Sequence, residues 1–412
     1  MLSEGISTLD DLNVKGKVVF VRCDINCPLD QDKRIKDTTR IRRSIPTLKE
    51  LFEEGAKVVI FAHQGDPLDY QNFISLEEHR DYLEKFLKKK VEFIEDIAGP
   101  IAQEKIKKLK EGEILLLENI RLYTEETIIF EEEVKLTAEE QCETYLISKL
   151  SPLADLYLCD AFACVHRSEP SLVAFPRILP SAVGRLFQEE LTALSKVRTF
   201  PQKPCLYLLG GAKILDAFRM MDHVLKDNYA DRILTFGLVG NVMLKAKGYD
   251  LGKLSEELLK RKNLLLYVEK AKQILKIYGQ KVSYPQDVAI DDNGRRKEIT
   301  ISSLSADGLI LDIGEETISE YSQQIGKAKT IFMNGPAGMY EREGFSLGTE
   351  KIWKEVGNSS AFSVIGGGDT IAAAGKFGIK GKISHISTAG GGLIRFLAGE
   401  TLPVIEALKN RI

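Results

Sequence analysis

Histidine and cysteine are scarce in this chain, and the scarcity limits its chemistry. Five histidines and six cysteines are spread over 412 residues, and no two cysteines form a C-x-x-C pair. Their spacing matches no zinc site. Cys23, Cys27, Cys142, Cys159, Cys164 and Cys205 therefore read as free thiols, several inside apolar runs such as LYLCDAF, and suit a reducing, cytoplasmic compartment. No apolar run reaches the ~20 residues a membrane-spanning helix needs. The opening MLSEGISTLDDLNVKGK has neither an apolar core nor a basic leader, so no signal peptide is expected. An excess of one charge is missing too: 57 basic residues stand against 60 acidic, for a net charge of −3. That excludes a chain-wide nucleic-acid footprint, so any anionic ligand must be met by local clusters of Arg and Lys. The phosphate loop G-x-x-x-x-G-K-[ST] is absent; the nearest segment, AAAGKF, lacks its leading Gly and its Ser/Thr. No G-x-G-x-x-G follows the first strand, and the protein-kinase motif set is absent.

What is present is a rhythm. Near-continuous apolar runs occur at 17–24, 57–65, 113–121 and 156–162, then at 205–213, 232–241, 281–288, 308–314, 330–338, 362–369 and 385–392. Such runs are how strands buried on both faces of a parallel sheet read. Segments of helical spacing lie between them at 41–54, 75–90, 137–150, 188–198, 254–277 and 348–357. Alternation of this kind predicts an α/β fold with mainly parallel sheets. The length, and too many strands for one open sheet, predict two Rossmann-like three-layer α/β/α domains. The proline-bearing stretch SEPSLVAFPRILPSAVG marks the boundary, followed by a linking helix at about 186–199. The domains are expected at 1–180 and 181–392, with 393–412 returning to the first.

In open parallel sheets, ligands bind beyond the carboxyl ends of the strands. In the first half those positions carry Arg22, Asp24, His63, Arg121, Asp160, His166 and Arg167, and Arg40, Arg42 and Arg43 open the helix after the first strand. Arginine offers a planar, permanently charged fork to carboxylate and phosphate. In the second half the same positions carry glycines: Gly210–Gly211, Gly237, Gly240, Gly335, Gly366–Gly367–Gly368 and Gly390–Gly391–Gly392. Glycine-rich turns leading into helices let backbone N–H groups approach phosphates closely. In GGGDT (366–370), Asp369 adds a hard oxygen ligand suited to Mg²⁺. One half is built for a small anion with several oxygens, the other for a nucleotide.

With these motifs in order, the chain resembles the phosphoglycerate kinase family over almost its whole length. VKGKVVFVRCDINCPL is similar to the family's opening strand and loop and supplies Arg22, Asp24 and Asn26. RIRRSIPTL supplies Arg40, AHQGDP supplies His63, LLENIRLY supplies Arg121, and DAFACVHRSEPS supplies His166 and Arg167. LLGGAKILD supplies Gly211, Ala212 and Lys213, and FMNGPAGMYE supplies Asn334, Pro336 and Glu341. GGGDT and STAGGG resemble the phosphate loops, and FLAGETLPVIEAL the closing segment.

The resemblance implies reversible phosphoryl transfer between 1,3-bisphosphoglycerate with MgADP and 3-phosphoglycerate with MgATP, by hinge closure in a monomer. It implies glycerate contacts from Arg22, Asp24, Asn26, Arg40, His63, Arg121 and Arg167. Nucleotide contacts follow from Gly211, Ala212, Lys213, Gly237, Asn334, Pro336, Glu341, Gly366, Gly367, Gly368, Asp369 and Thr370, with Asp369 on Mg²⁺. Arg40, Lys213, Gly367 and Gly391 would stabilise the transferring group. No general base is needed, because both nucleophiles are already ionised at neutral pH. Two departures stand out: Asp66 and Ala217 occupy positions that are usually basic in the family. Arg34, Arg42 and Arg43 are candidates to replace the cation missing at 66. Other readings are a different carboxylate or carbamate kinase and a non-catalytic hinged anion-binding protein. The several basic strand ends argue against the first, and Asp369 beside an anion site argues against the second.

Overall fold

The computed structural model describes residues 5–66, 68–304 and 308–410. Its chain divides into two compact units. One runs to Thr192 and resumes at Thr401; the other is Ala193–Glu400. Both divisions fall later than 180 and 392. The helix Arg185–Arg198 carries the chain across the first division.

The first unit is a six-stranded parallel sheet of β1 (Val18–Cys23), β2 (Lys57–Phe61), β3 (Glu92–Phe93), β4 (Ile114–Leu116), β5 (Leu156–Asp160) and β6 (Ser181–Val183), in the order β3-β4-β2-β1-β5-β6. Side chains alternate along a strand, and here both faces are apolar. Val19, Val21 and Cys23 join Val58 and Ile60 in one cluster, against Ile41, Leu48 and Leu51 of the helix Thr39–Glu53. On the other face Phe20 packs on Phe61 and Phe175, with ring centroids 4.9 and 5.5 Å apart. The register pairs Arg22 with Phe61 and Cys23 with Asp160, so the loops after β1, β2 and β5 open at one edge. The closing helix Pro403–Lys409 belongs to this unit, where Val404 N–H donates to the Val165 carbonyl at 3.3 Å.

The second unit has a six-stranded parallel sheet built from β7 (Cys205–Leu209), β8 (Arg232–Thr235), β9 (Val282–Ser283), β13 (Thr330–Asn334), β14 (Phe362–Gly366) and β15 (His385–Ile386), in the order β15-β14-β13-β7-β8-β9. A three-stranded antiparallel sheet is added by β10 (Asp287–Asp292), β11 (Arg295–Thr300) and β12 (Leu309–Ile313). The run 281–288 was expected to be one strand. It breaks at Pro285, which has no N–H for a ladder, and its halves enter different sheets. Strand β11, RRKEIT, has no apolar run and went unread. Its signal is the turn before it, where Asn293 and Gly294 both have positive φ (53° and 87°), as hairpin turns prefer. The segment 254–277 splits into Lys253–Arg261 and Val268–Tyr278, with Asn263 left-handed between them (φ 55°). Segment 137–150 likewise splits, into Ala138–Gln141 and Tyr145–Leu150.

Trp353, the only tryptophan, is fully buried in the second unit's core, and its indole N–H donates to the Thr370 carbonyl at 3.2 Å. Trp353→Ala is expected to destabilise the protein by about 3–5 kcal/mol. Urea unfolding followed by circular dichroism checks this; a loss under about 1 kcal/mol would mean the indole is not packed as described.

Candidate active site

In the first unit the functional side chains leave the sheet at one edge. Asp24 and Asn26 follow β1, His63 follows β2, Arg121 follows β4 and Arg167 follows β5. Arg40, in the first turn of the helix Thr39–Glu53, reaches back to donate to Asp24 Oδ2 at 2.5 Å. The Asn26 amide oxygen accepts from Gly65 N–H at 3.0 Å, tying the β1 and β2 loops together. His63 is the electrostatic centre. Burial and the neighbouring charges of Arg22, Arg121, Arg40 and Arg167 hold its pKa well below 6.5. It is therefore neutral at physiological pH, and Arg22 Nη2 lies 3.2 Å from its Nδ1. A cluster of this sign attracts an anion.

Arg22 departs from the expectation of a substrate contact. It continues the inward face begun by Phe20, and its side chain is 0% exposed. Its Nε donates to Ser171 Oγ (3.0 Å), Nη1 to the Cys23 carbonyl (2.8 Å) and Nη2 to His63 Nδ1 (3.2 Å). The physical reason is alternation: a side chain on the buried face of a strand cannot meet a ligand beyond its end. Behind it lie two carboxylates that sequence reasoning passed over. Glu169 accepts from Arg121 Nη1 at 2.7 Å and lies 3.7 Å from Arg22 Nη2. Glu126, fully buried, accepts from Ser171 N–H at 2.6 Å and Ser171 Oγ at 2.7 Å. Burial, then the nearby Glu169 charge, push its carboxyl up to about 8. Arg121 Nη1 also donates to the Glu126 carbonyl at 2.9 Å, while its Nε is buried without a hydrogen-bond partner. Arg167 is partly exposed and 3.3 Å from Glu131. In HRSEPS, Glu169 stands two residues after Arg167, a spacing that by itself gives no sign of this role.

Of the candidates for the cation missing at Asp66, Arg42 and Arg43 are engaged elsewhere, while Arg34 is largely exposed. Arg42 lies over the Phe86 ring (3.9 Å to its centroid), Arg43 is 3.2 Å from Glu189, and Arg34 is 4.0 Å from Glu78. Lys33 is the cation that reaches the loop after Asp66, donating to the Gln71 carbonyl at 2.7 Å. Asp66 itself is exposed.

In the second unit the register aligns Asn334 with Leu209 and with Gly366. The loops after β7, β13 and β14 therefore emerge side by side. They line one cleft with Gly210, Gly211, Ala212, Lys213, Asn334, Gly335, Gly367, Gly368, Asp369 and Thr370. The loops are cross-tied: Gly335 N–H donates to Thr370 Oγ1 at 2.7 Å, Asn334 Nδ2 to the Gly366 carbonyl at 2.9 Å, and Gly211 N–H to the Pro336 carbonyl at 2.9 Å. Two glycines are obligatory. At Gly335 (φ 85°) a Cβ would lie 2.2 Å from the Gly210 carbonyl oxygen; at Gly367 (φ 89°) it would lie 2.8 Å from Asn334 Nδ2. Gly368 opens the helix Gly368–Lys376 and faces free space. Its N–H end and the exposed Asp369 thus border an open cradle. Gly237 backs onto Gly211 and Pro336. Glu341 is exposed; its charge and that of Asp369, after burial, raise the Tyr340 hydroxyl pKa. Gly391 is exposed at the start of the short helix Gly391–Leu397, outside the cleft lining. Ala217, the second departure, is 2% exposed in the helix Ile214–Lys226. Beside it, Asp216 has its carboxyl raised by burial against the opposing charges of Lys213, Arg219 and Arg395. Among the described residues no three His, Cys, Asp or Glu side chains form a metal cage.

Strand-end arginines in one α/β unit and a glycine-lined phosphate cradle in the other define a two-unit phosphotransferase. The family model described as phosphoglycerate kinase matches residues 9–400. The chain is 47% identical over 404 residues to the phosphoglycerate kinase of Methanothermus fervidus, covering 98% of this chain and 97% of that one. It is 46% identical over 406 residues to that of Pyrococcus abyssi, covering 97% of each. The crystal structure of the Pyrococcus horikoshii OT3 phosphoglycerate kinase superposes with a TM-score of 0.86 at 44% identity, covering 98% of each chain. That of Coxiella burnetii superposes at 0.81 with 30% identity, again over 98% of each. The chain belongs to the phosphoglycerate kinase family, an enzyme family of glycolysis whose substrates are 3-phosphoglycerate, 1,3-bisphosphoglycerate, ADP and ATP.

The raised Glu126 carboxyl makes a pH prediction. Its folded pKa of about 8 exceeds the ordinary 4.5, so between these values the folded state keeps a proton that the unfolded chain has lost. The stabilisation is complete below 4.5 and is lost as pH rises through about 8. Glu126→Gln, permanently neutral, should gain melting temperature relative to wild type as pH rises across that window. A difference that is flat with pH would contradict the assignment.

Proposed function

We propose that the first unit holds the phosphoglycerate and the second the nucleotide, and that a hinge motion through the helix Arg185–Arg198 brings them in line. The single observation that carries the reading is the buried His63, 3.2 Å from Arg22 Nη2, whose pKa is held well below 6.5 by burial and by the charges of Arg22, Arg121, Arg40 and Arg167. A ligand with one carboxylate would need fewer charges; a ligand with a carboxylate and a phosphate suits them. Asp24, Asn26, His63, Arg40, Arg121 and Arg167 contact the glycerate, and Arg22 stands behind them.

Gly211, Ala212, Lys213, Asn334, Gly366, Gly367, Gly368, Asp369 and Thr370 take the nucleotide phosphates, with Gly237, Pro336 and Glu341 toward base and ribose. Toward acyl phosphate, the carboxylate oxygen of 3-phosphoglycerate forms the new O–P bond as the β–γ bridge oxygen of ATP leaves with its electron pair. No proton moves, so no general base is required. Arg40, Lys213 and the N–H groups at Gly367 and Gly391 neutralise charge on the transferring group.

The cradle fits Mg²⁺ bound through the nucleotide. One carboxylate, Asp369, borders N–H donors, and Mg²⁺ in such sites takes its other ligands from phosphates and water. When bound, the ion screens the phosphate charges. The enzyme acts in the cytoplasm as a monomer, a reading supported by six free thiols and by the family resemblance. Among the described residues no helix is long and apolar enough to cross a membrane.

The test is a coupled assay of MgATP with 3-phosphoglycerate, reading 1,3-bisphosphoglycerate through its dehydrogenase. Turnover should require both substrates and Mg²⁺. Arg40→Ala should lower kcat by at least ~10²-fold; a near-wild-type rate would remove Arg40 from the reaction. Asp369→Ala should raise the Mg²⁺ and nucleotide requirement while leaving 3-phosphoglycerate binding unchanged. A collapse of glycerate binding in that variant would overturn the division of labour.

A further inference from the structure

Arg22 is the buried charge that the reaction as described does not use. It can only donate hydrogen bonds, since guanidinium carries five N–H groups and no acceptor. Its Nη2 lies 3.2 Å from His63 Nδ1. That contact is a hydrogen bond only if Nδ1 presents its lone pair. A neutral imidazole has one N–H, so the proton must sit on Nε2. Nε2, the ring's remaining polar atom, then carries the proton.

We propose that Arg22 is a positioning residue that fixes His63 as the Nε2–H tautomer, making it a neutral hydrogen-bond donor to the glycerate ligand. This rests on the reading of the arginine cluster as the glycerate site.

Arg22 is itself held on several sides. Ser171 Oγ takes its Nε at 3.0 Å, the Cys23 carbonyl takes Nη1 at 2.8 Å, and Glu169 lies 3.7 Å from Nη2. Ser171 is in turn fixed by Glu126 through both its N–H and its hydroxyl. The guanidinium therefore has little freedom to leave Nδ1. Two features make the tautomer matter. First, burial, and then the charges of Arg22, Arg121, Arg40 and Arg167, hold the ring's pKa well below 6.5, so it does not gain a second proton at neutral pH. Second, a ring in the other tautomer would aim a lone pair at an incoming anion. A lone pair facing a carboxylate or phosphate oxygen is repulsive, whereas N–H facing it binds. The arginine thus selects between a site that accepts the ligand and one that opposes it.

The tautomer can be read without activity. The protein has only five histidines, so a long-range ¹H–¹⁵N correlation spectrum of the ring nitrogens is tractable, with His63→Gln assigning the signals. In the wild type at pH 7, His63 should show an unprotonated Nδ1 and a protonated Nε2. A protonated Nδ1, or two protonated nitrogens, would overturn the proposal. In Arg22→Met, which removes the donor, the ring should populate both tautomers, and KM for 3-phosphoglycerate should rise ~10-fold or more with a smaller change in kcat. An unchanged pure Nε2–H tautomer in that variant would also overturn it. Should Arg22→Met fail to fold, Ser171→Ala releases the Arg22 Nε and must shift the tautomer balance in the same direction; no shift counts against the proposal. A correct tautomer in an enzyme that fails to bind 3-phosphoglycerate would instead refute the reading of the site, leaving the Arg22–His63 geometry intact.

Discussion

The first unit depends on holding like charges together. The charges of four guanidinium groups act on one histidine, and two unit charges 4 Å apart interact by about 4 kcal/mol at an effective dielectric of 20. Such a cluster does not assemble unless carboxylates lie behind it. Glu169 touches both Arg121 and Arg22, and Asp24 holds Arg40. Asp24 and Glu169 are both buried, and on the proposed reading they answer the guanidinium charge only in part. An arriving anion completes the balance. Breaking a buried pair of this kind strands a charge and costs roughly 3–5 kcal/mol, which ties ligand recognition to the integrity of the unit.

The second unit solves a similar problem with dipoles in place of charges. Parallel register brings the ends of β7, β13 and β14 to one level, and cross-tied glycine loops leave backbone N–H groups facing the opening. The cradle carries few fixed charges: Lys213 on one side and Asp369 on the other. On the proposed reading, this division suits the two ligands. A small, multiply charged acid needs forks; a nucleotide carrying its own divalent ion needs shape and N–H donors. Neither unit needs a proton acceptor, because the reacting oxygens are ionised before they bind.

Much of this was legible in the sequence, for physical reasons. Apolar runs reported the parallel strands because both sheet faces are buried, and ligand-facing residues follow strand ends. Arg40, His63, Arg121 and the 366–370 loop were singled out that way as candidates. Arg22 was misread because a strand end was treated as a loop, although Phe20 two residues earlier fixes its face as inward. Glu126 and Glu169 were not legible: a lone acid in a polar stretch reads as solvated, and only long-range packing places it beside a buried arginine. Strand β11 was lost for the opposite reason, being a polar hairpin arm with no burial to pattern it.

The central claim is that the two ligands occupy separate units, each through its own chemistry. Hydrogen–deuterium exchange with 3-phosphoglycerate alone and with MgADP alone tests it most directly. The account predicts that 3-phosphoglycerate slows exchange around 24–27, 62–65, 119–122 and 164–169, and MgADP around 210–213, 334–337 and 367–370. Protection of the arginine-bearing loops by MgADP alone, or of the glycine loops by 3-phosphoglycerate alone, would contradict it.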